Sequence, residues 1–404
     1  MKLNFTRGLL LLIVVGYCWS VERLAPGIHG PIDSGITHAR YSVLVPQAVN
    51  SGKPLPVLYL AGWGFIPKLE PWLPWAEREG VVVVSLFDFY GINPYNASLP
   101  IMDANRLSLE ARVRVHPFLR VGLSSQRTAA AMMMMAKSPM SGIGVTVGFN
   151  TEINPRAWDI LIGQPPHVQH FLVFDSARPA LDSLAESWNI EAKARKVSVS
   201  IETVPKLGAE IASVREQQRW ATFAFDHMLS SHSLLKKEDI ELGVKRLSQR
   251  VDDLKQQTDV FQRSADCRLF ASIPAMNNKH PDFKRFAELY VSSLLATPED
   301  DAPFALHVAL TALSKDLVKA LDKSLNSALN LEKKRLLTVK VVKDEILAEE
   351  IFVSARSLIE GNKGNRTELV RQVGIIEKLV SEYPSTIAGR RAATMLQEWR
   401  PLVR

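Results

Sequence analysis

The sequence is poor in cysteine, with Cys18 and Cys267 the only two in 404 residues. Such a chain can form at most one internal disulfide, and none once Cys18 is removed with the N-terminal segment considered below. The sequence also has no closely spaced set of His, Cys, Asp and Glu with the spacing of metal ligands, and no glycine-rich phosphate loop. We therefore expect packing alone to hold the fold, and we expect neither a metal ion nor another cofactor.

Long runs of one kind of residue are also missing. The 49 basic and 42 acidic residues give a net charge of +7, but the basic residues are scattered and form no long block. Scattered charge is typical of a solvated surface, so we expect no nucleic-acid partner. Beyond the N-terminus no apolar run reaches the roughly 20 residues that a spanning helix needs. We expect no stable membrane span in the mature chain.

The first twenty residues have the pattern of a targeting signal. A start containing Lys2 and Arg7 precedes the apolar run 8–17, and the small residue Ser20 follows it. A basic start, a short apolar core and a small residue are typical of a secretory signal peptide. The sequence therefore predicts a signal peptide over residues 1–20 and an exported protein, periplasmic or extracellular.

Residues 21–232 combine strand-like and helix-like segments. The runs 55–60 and 81–86 are continuously apolar, which is typical of strands buried on both faces of a sheet. Further strand-like runs are 39–46, 118–121, 143–147, 170–174 and 197–204. Helical segments at 73–79, after residue 122 and at 220–229 lie between or after them. Alternating strands and helices predict an α/β fold, a mostly parallel sheet with flanking helices.

The sequence changes character at about residue 233. Strand signals almost vanish, and apolar residues recur at helical spacing, as in 238–260 and 303–331. The segment 336–342 fits either a strand or a helical turn. We therefore expect an all-α domain over residues 233–404 after an α/β domain over residues 21–232, in line with the usual domain size.

Four segments of the first domain resemble one family in both sequence and order. Gly122-Leu123-Ser124 matches the start of the G-x-S-x-G elbow, in which a nucleophilic serine sits on a strand-to-helix turn. Three segments before it match in the same order: Tyr41–Pro46, Leu55–Gly62 and Trp75–Val84. Together they resemble the secreted α/β-hydrolase esterases of the feruloyl-esterase and polyhydroxybutyrate-depolymerase type. The resemblance implies an α/β-hydrolase fold, with Ser124 as candidate nucleophile and Gly62, Trp63 and Ser125 around the oxyanion hole and pocket.

The rest of the family's catalytic set is missing from this sequence. The acid position falls on Arg178 and the histidine position on Ala209. The oxyanion-side histidine is replaced by Ala61, and the last glycine of the elbow by Gln126. A serine hydroxyl without a base is a poor nucleophile at neutral pH. Stand-ins would have to come from unusual positions: His167, His170, His227 or His232 as base, and Asp175 or Asp182 as acid if the loop bends.

Two functions follow from this incomplete set. We favour an esterase-like protein that has lost catalysis and acts as a binding or scaffold protein. The alternative is a weak or atypical serine carboxylic-ester hydrolase that uses Ser124. A small ester or sugar-like ligand suits either function, and Trp63, Trp72 and Trp75 could stack on it, although core packing is the favoured role for these rings. The run Met132–Met135 is interpreted as apolar filler of a buried helix.

A second resemblance covers residues 349–397. The segment Glu382-Tyr383-Pro384-Ser385-Thr386, followed by Ala388, Ala392 and Leu396, resembles a tetratricopeptide-like helical pair. Breaks are expected at 361–364 and 383–385. Helical arrays of this kind bind proteins, so the resemblance implies a protein partner for the helical domain, although a packing appendage remains open.

Overall fold

The structure is a computed structural model. It describes residues 22–36, 39–62, 67–86, 98–125, 128–138, 141–150, 158, 161–162, 164–165, 167–175, 179–197, 199–204, 212–231, 235–296, 303–361 and 365–403. The chain forms two compact units, Met1–Gly243 and Val244–Arg404. The sequence prediction places the boundary between residues 232 and 233.

The first unit is built on an eight-stranded sheet. In chain order the strands are β1 Gly27–Asp33, β2 Arg40–Val45, β3 Leu55–Ala61, β4 Val82–Leu86, β5 Val115–Ser125, β6 Ile143–Phe149, β7 Gln169–Asp175 and β8 Ser200–Val204. Their order across the sheet is β1-β2-β4-β3-β5-β6-β7-β8. β2 pairs antiparallel with β1 and β4, and the other pairs are parallel. This topology confirms the predicted α/β-hydrolase fold class.

Helices flank this sheet. Their bounds are α1 Leu73–Glu79, α2 Ser98–Arg112, α3 Thr128–Lys137, α4 Pro179–Arg195 and α5 Val214–Ser231, with short 3₁₀ helices at Gln47–Ser51 and Glu70–Trp72. The prediction of a helix over residues 73–79 is confirmed. It ends where Gly80 takes a left-handed φ of 65° and donates its N–H to Ala76 O, a conformation that glycine adopts without strain.

The central strands are apolar on both faces because helices cover both faces. Every residue of β4 and β6 is buried, as expected for parallel strands in a layered sheet. α3 packs especially close to β5, since a Cβ at Gly122 would collide with the Sδ and Cγ atoms of Met132. Met132, Met133 and Met135 are buried, so the prediction that this run fills the core is confirmed.

In the first unit the sequence analysis missed one strand and two helices. β1 lies in a stretch rich in glycine and proline that the sequence analysis left without secondary structure. The strand tolerates these residues because it is an edge strand, paired with β2 alone, where ladder hydrogen bonds are needed on one side. α2 and α4 have little helical periodicity, and no helix was predicted for either segment.

The second unit is helical, as predicted. Its elements begin with α6 Lys237–Gln256, which crosses the division between the units, and continue with α7 Val260–Ala271, α8 Phe283–Leu295, α9 Pro303–Thr311, α10 Lys315–Ala320, α11 Lys323–Leu336, α12 Lys340–Gly361, α13 Arg366–Glu382 and α14 Ile387–Val403. In the described part of the chain, no helix combines the length and apolarity needed to cross a bilayer.

The details of the second unit correct one prediction and resolve another. The segment 303–331 contains three helices rather than one, because Ser314 and Asp322 cap new helix starts by accepting from Leu317 N and Leu325 N. Residues 336–342 form the end of α11, a tight turn and the start of α12, so no strand forms there. Helices α12, α13 and α14 share a core that includes Phe352, Ile376 and Ala392. The predicted break at 383–385 is confirmed, whereas most of the one predicted at 361–364 lies outside the described residues.

Candidate active site at the carboxyl edge of the sheet

The parallel strands bring several polar residues to one edge of the sheet. Ala61 is in register with Ser124, Ser124 with Gly148, and Phe149 with Val173. Gly62 follows the end of β3, Ser124 and Ser125 end β5, and Asp175 ends β7. Open α/β sheets bind their ligands outside the carboxyl ends of the strands. The geometry therefore makes this edge the candidate site.

Ser124 lies inside β5 and is not in a turn. The strand runs to Ser125, and the only non-glycine residues with positive φ in the described part of the chain are Asn150 and Lys196. Ser124 is 3% exposed, and its Oγ donates to Val147 O on the neighbouring strand at 3.3 Å. The prediction that Ser124 occupies the strand-to-helix turn is therefore wrong, because the strand continues past it.

The connection from β5 to α3 comes after Ser125 in the sequence. Since β5 ends at Ser125 and α3 begins at Thr128, the connecting residues are Gln126 and Arg127, which lie outside the described residues. The elbow motif places its nucleophile on this connection. Neither glutamine nor arginine carries a hydroxyl or thiol group, so the connection supplies no serine-type nucleophile.

Ser125 and Thr128 are joined by two hydrogen bonds at the candidate site. The Ser125 N–H donates to Thr128 Oγ1 at 3.2 Å. The Thr128 hydroxyl lies 2.6 Å from Ser125 O and 3.1 Å from Ala61 O, and it donates its proton to these carbonyls. The Ser125 amide, the predicted oxyanion donor next to Ser124, is thus already paired. The Ser125 Oγ is buried and has no hydrogen-bond partner among the described residues.

The structure describes two of the three tryptophans predicted near the pocket. Trp63 lies outside the described residues. Trp72 and Trp75 are 1% and 2% exposed and pack edge to face at 5.3 Å between ring centroids. The Trp75 Nε1 donates to Thr222 Oγ1 at 2.9 Å, which satisfies its polar atom inside the core. The prediction that these two rings pack in the core is confirmed.

Two of the histidines considered as stand-in bases are buried and far from this edge. His170 lies five residues before Asp175 on β7, which places it roughly 16 Å from the edge at the usual strand rise. Its Nδ1 is 2.6 Å from Thr146 Oγ1, and burial lowers its pKa to about 3. His227 packs on the rings of Phe171 and Phe223, and burial lowers its pKa to about 4. Neither is placed to accept a proton from Ser124.

The remaining histidines of the first unit also belong elsewhere. His167 precedes the start of β7, and His232 lies outside the described residues. His116, which was not considered from sequence, sits at the start of β5, where its Nδ1 accepts from the N–H groups of Phe118 and Leu119. No histidine that the structure describes lies at the carboxyl edge. The sequence segments that follow the parallel strands at this edge also contain none: 62–66, 87–97, 126–127, 150–166, 176–178 and 205–213.

Asp175 is the carboxylate that the fold brings to the edge. It is 4% exposed, and its N–H donates to Asn150 Oδ1 at 3.0 Å. Asn150 holds this position with a left-handed φ of 46° and donates its own N–H to Val173 O at 2.8 Å. The family's acid position falls on Arg178, which lies outside the described residues, and the sequence analysis gave Asp175 only as a stand-in if the loop bends. An aspartate that directly ends an apolar strand was the signal for Asp175.

Comparison with known proteins gives structural likeness only. No protein-family model matches the chain, and no curated protein sequence matches it. An S-formylglutathione hydrolase from Staphylococcus aureus is 9% identical, with a TM-score of 0.38, over 51% of this chain and 100% of that one. A dienelactone hydrolase from Anabaena variabilis is 9% identical, with a TM-score of 0.37, over 51% and 99%. A ferulic acid esterase is 10% identical, with a TM-score of 0.33, over 46% and 92%.

Proposed function

We propose that the first unit is an α/β-hydrolase domain that has lost serine-esterase catalysis and serves as a binding or scaffold module. The observation that carries this proposal is the lack of histidine at the carboxyl edge, both in its described residues and in the sequences of the segments that follow the strands. Serine hydrolases of this fold need a base beside the nucleophile. Here the candidate edge offers a carboxylate, Asp175, and buried hydroxyls.

The local chemistry of Ser124 supports the same proposal. Its hydroxyl donates to a strand carbonyl, so attack on an ester would require this hydrogen bond to break and the proton to go elsewhere. The nearest amide expected to stabilise an oxyanion, that of Ser125, is bonded to Thr128. Nucleophile activation and oxyanion binding both depend on groups held ready for the reaction.

The alternative is a weak serine carboxylic-ester hydrolase with an unusual base. Two observations favour it: the buried Ser125 Oγ has no hydrogen-bond partner among the described residues, and Asp175 is buried at the same edge. Such an enzyme would need a base other than histidine. Lys206, in the segment after β8, has the chemistry for that role, because serine-lysine pairs are a known variant of the triad.

The deciding experiment is ester hydrolysis by the purified chain. Short-chain p-nitrophenyl esters are offered to the wild type, Ser124→Ala and Ser125→Ala, and labelling by a fluorophosphonate probe is measured in parallel. We expect the same background rate in all three proteins and no labelling. A rate or label that disappears in one serine variant would overturn the proposal, and loss of the same rate in Lys206→Ala would then assign the base.

The remaining functional assignments are part of the same proposal. The mature protein is exported to the periplasm or outside the cell, its hydrolase-like unit takes a small ester or sugar-like ligand, and its tetratricopeptide-like helices bind a protein. The charge pattern at the N-terminus supports export, and the helical packing of residues 340–403 supports a protein partner. Mass spectrometry of the N-terminus of the expressed protein tests export, with a start after residue 20 expected and a retained Met1 contradicting it.

A further inference from the structure

The turn that joins α11 to α12 exposes an unusual amount of apolar side chain. Leu331 is 71% exposed, the highest value among the exposed large hydrophobic residues in the described part of the chain. Leu337 and Val341 are 47% and 54% exposed. Single exposed apolar residues are ordinary, but these three lie close together in sequence around one turn. We call residues 331–343 the basic corner, for the reason given next.

The basic corner carries a strong positive charge. It contains five basic residues and one acidic residue, and the acidic one, Glu332, is paired with Arg335 at 2.6 Å. The four lysines form no ion pair with any residue that the structure describes: Lys333, Lys334, Lys340 and Lys343. The next acidic residues along the sequence are Asp344, which is half-buried, and Glu345, whose buried carboxylate accepts from Ile387 N. The outward charge of the corner is therefore largely uncompensated.

The backbone holds these side chains at the surface. Thr338 N donates to Arg335 O at 2.9 Å and Val339 N to Leu336 O at 3.0 Å, which closes a tight turn. Leu336 and Val342, on either side of the turn, are fully buried. Because these two anchors fix the corner to the core of the helical unit, the lysines and the three apolar side chains have no route to burial within it.

We propose that the basic corner docks the protein on the surface of an anionic phospholipid bilayer. Lysines near such a surface contribute about 1 kcal/mol each, roughly a fivefold gain in affinity. Aliphatic side chains between them can enter the headgroup region, as in interfacial helices. The net positive charge and the exposed leucine and valine side chains thus match the two components of this surface. This inference does not depend on the proposed function.

The composition of the corner distinguishes a bilayer from other partners. Surfaces that bind single-stranded nucleic acids use aromatic side chains to stack on bases, and the corner has no aromatic residue. Protein interfaces are enriched in aromatics, methionine and arginine and depleted in lysine. The corner instead combines lysines with aliphatic side chains, and its one arginine is held by Glu332.

Co-sedimentation of the full chain with vesicles tests the proposal. The vesicles are phosphatidylcholine alone or phosphatidylcholine mixed with phosphatidylglycerol, at low and at high salt. We expect binding to the mixed vesicles, little binding to phosphatidylcholine alone, and weaker binding at high salt, because the lysine contribution is screened. No binding to the mixed vesicles would overturn the proposal.

A matched pair of variants assigns the binding to the corner. Replacing Lys334, Lys340 and Lys343 by glutamine should weaken binding roughly 100-fold, at about 1 kcal/mol per charge. The control replaces Lys255, Lys279 and Lys315 by glutamine; these lysines are exposed elsewhere in the same unit, form no ion pair with any described residue, and leave the same net charge. Equal weakening in both variants would overturn the proposal, since it would reflect net charge alone. Binding of an oligonucleotide that the corner variant loses, without vesicle binding, would also overturn it.

Discussion

Single residues at the candidate site show which contacts hold the polar groups there. Ser124 keeps the position of a serine in the sequence motif, but its hydroxyl is held by Val147 O within the sheet. Thr128 has a clearer task, since its one hydroxyl group contacts the ends of β3 and β5 at the start of α3. Gly122 leaves the space that Met132 fills. Core packing and the hydrogen bonding of backbone carbonyl and N–H groups account for these residues.

Gly122→Ala should destabilise the first unit. The added methyl group would meet the side chain of Met132, which is fully buried and would have to change its packing. Overpacking of this kind costs about 1–3 kcal/mol, so we expect a lower midpoint of thermal unfolding. Gly374→Ala is the control, because a Cβ there meets nothing within 4 Å. This substitution removes a glycine from a helix interior, which should raise stability by about 1 kcal/mol.

The two buried histidines should make the first unit sensitive to acid. Burial lowers the folded-state pKa of His170 to about 3 and of His227 to about 4, against an unfolded value of 6.5. Between pH 6.5 and 4 the unfolded chain therefore binds more protons. The stability that is present above pH 6.5 is lost as the pH falls, by up to about 1.4 kcal/mol per pH unit for each histidine.

Urea unfolding followed across this pH range measures the effect. His227→Leu should reduce the slope of the unfolding free energy against pH, because one of the two titrating groups is removed. Phe225→Leu, at a buried residue of the same helix that carries no titratable group, should leave the slope unchanged. An equal slope in wild type and His227→Leu would contradict the assignment of acid sensitivity to His227.

At the scale of elements, the sheet and its helices account for the site. β5 lies between β3 and β6 in the sheet, and its last residues lie at the carboxyl edge only because all three strands are parallel. The start of α3 follows directly, and Thr128 joins it to both strand ends. The cluster of polar groups at this edge therefore depends on one helix start.

Thr128→Val should loosen this junction. The substitution keeps the β-branched shape but removes the hydroxyl that contacts Ala61 O and Ser125 O, which leaves buried backbone groups with poorer partners. Losses of this kind cost about 1–3 kcal/mol. Thermal unfolding should show a lower midpoint for Thr128→Val and a near-normal one for Thr128→Ser. A normal midpoint for the valine variant would mean that the hydroxyl is not needed.

At the scale of the whole molecule, one helix belongs to both compact units. α6 runs from Lys237 to Gln256, and the division between the units falls after Gly243. The first part of this helix lies close to α5, since a Cβ at Gly243 would approach the Leu229 backbone. A separation of the chain at residue 243 therefore cuts a continuous helix.

Two fragments of the helical unit test this point. A fragment over residues 235–404 keeps α6 whole, whereas 244–404 begins inside it. We expect the longer fragment to have the higher midpoint of thermal unfolding by circular dichroism, because helix interiors lose hydrogen bonds and caps when they are cut. Equal midpoints would mean that the first part of α6 adds nothing to the second unit.

The sequence determined the elements whose signals are local. Continuous apolar runs gave β3, β4 and most of β6 and β7, since a strand buried on both faces needs no polar residue. Helical spacing gave α1 and the paired helices at the C-terminus. The sequence also showed that the segments after the strands contain no histidine, because this needs only the order of the elements and the residues between them.

Only the tertiary structure decided how these elements end and meet. The sequence could not show that β5 continues to Ser125, because pairing with β3 and β6 extends the strand beyond its own apolar run. It could not show that Asp175 lies at the carboxyl edge of the sheet, or that the Thr128 hydroxyl accepts the Ser125 N–H. Both depend on how neighbouring segments align. Apolar pattern fixes which segments become buried, but the hydrogen bonds between segments fix which polar groups are left for chemistry.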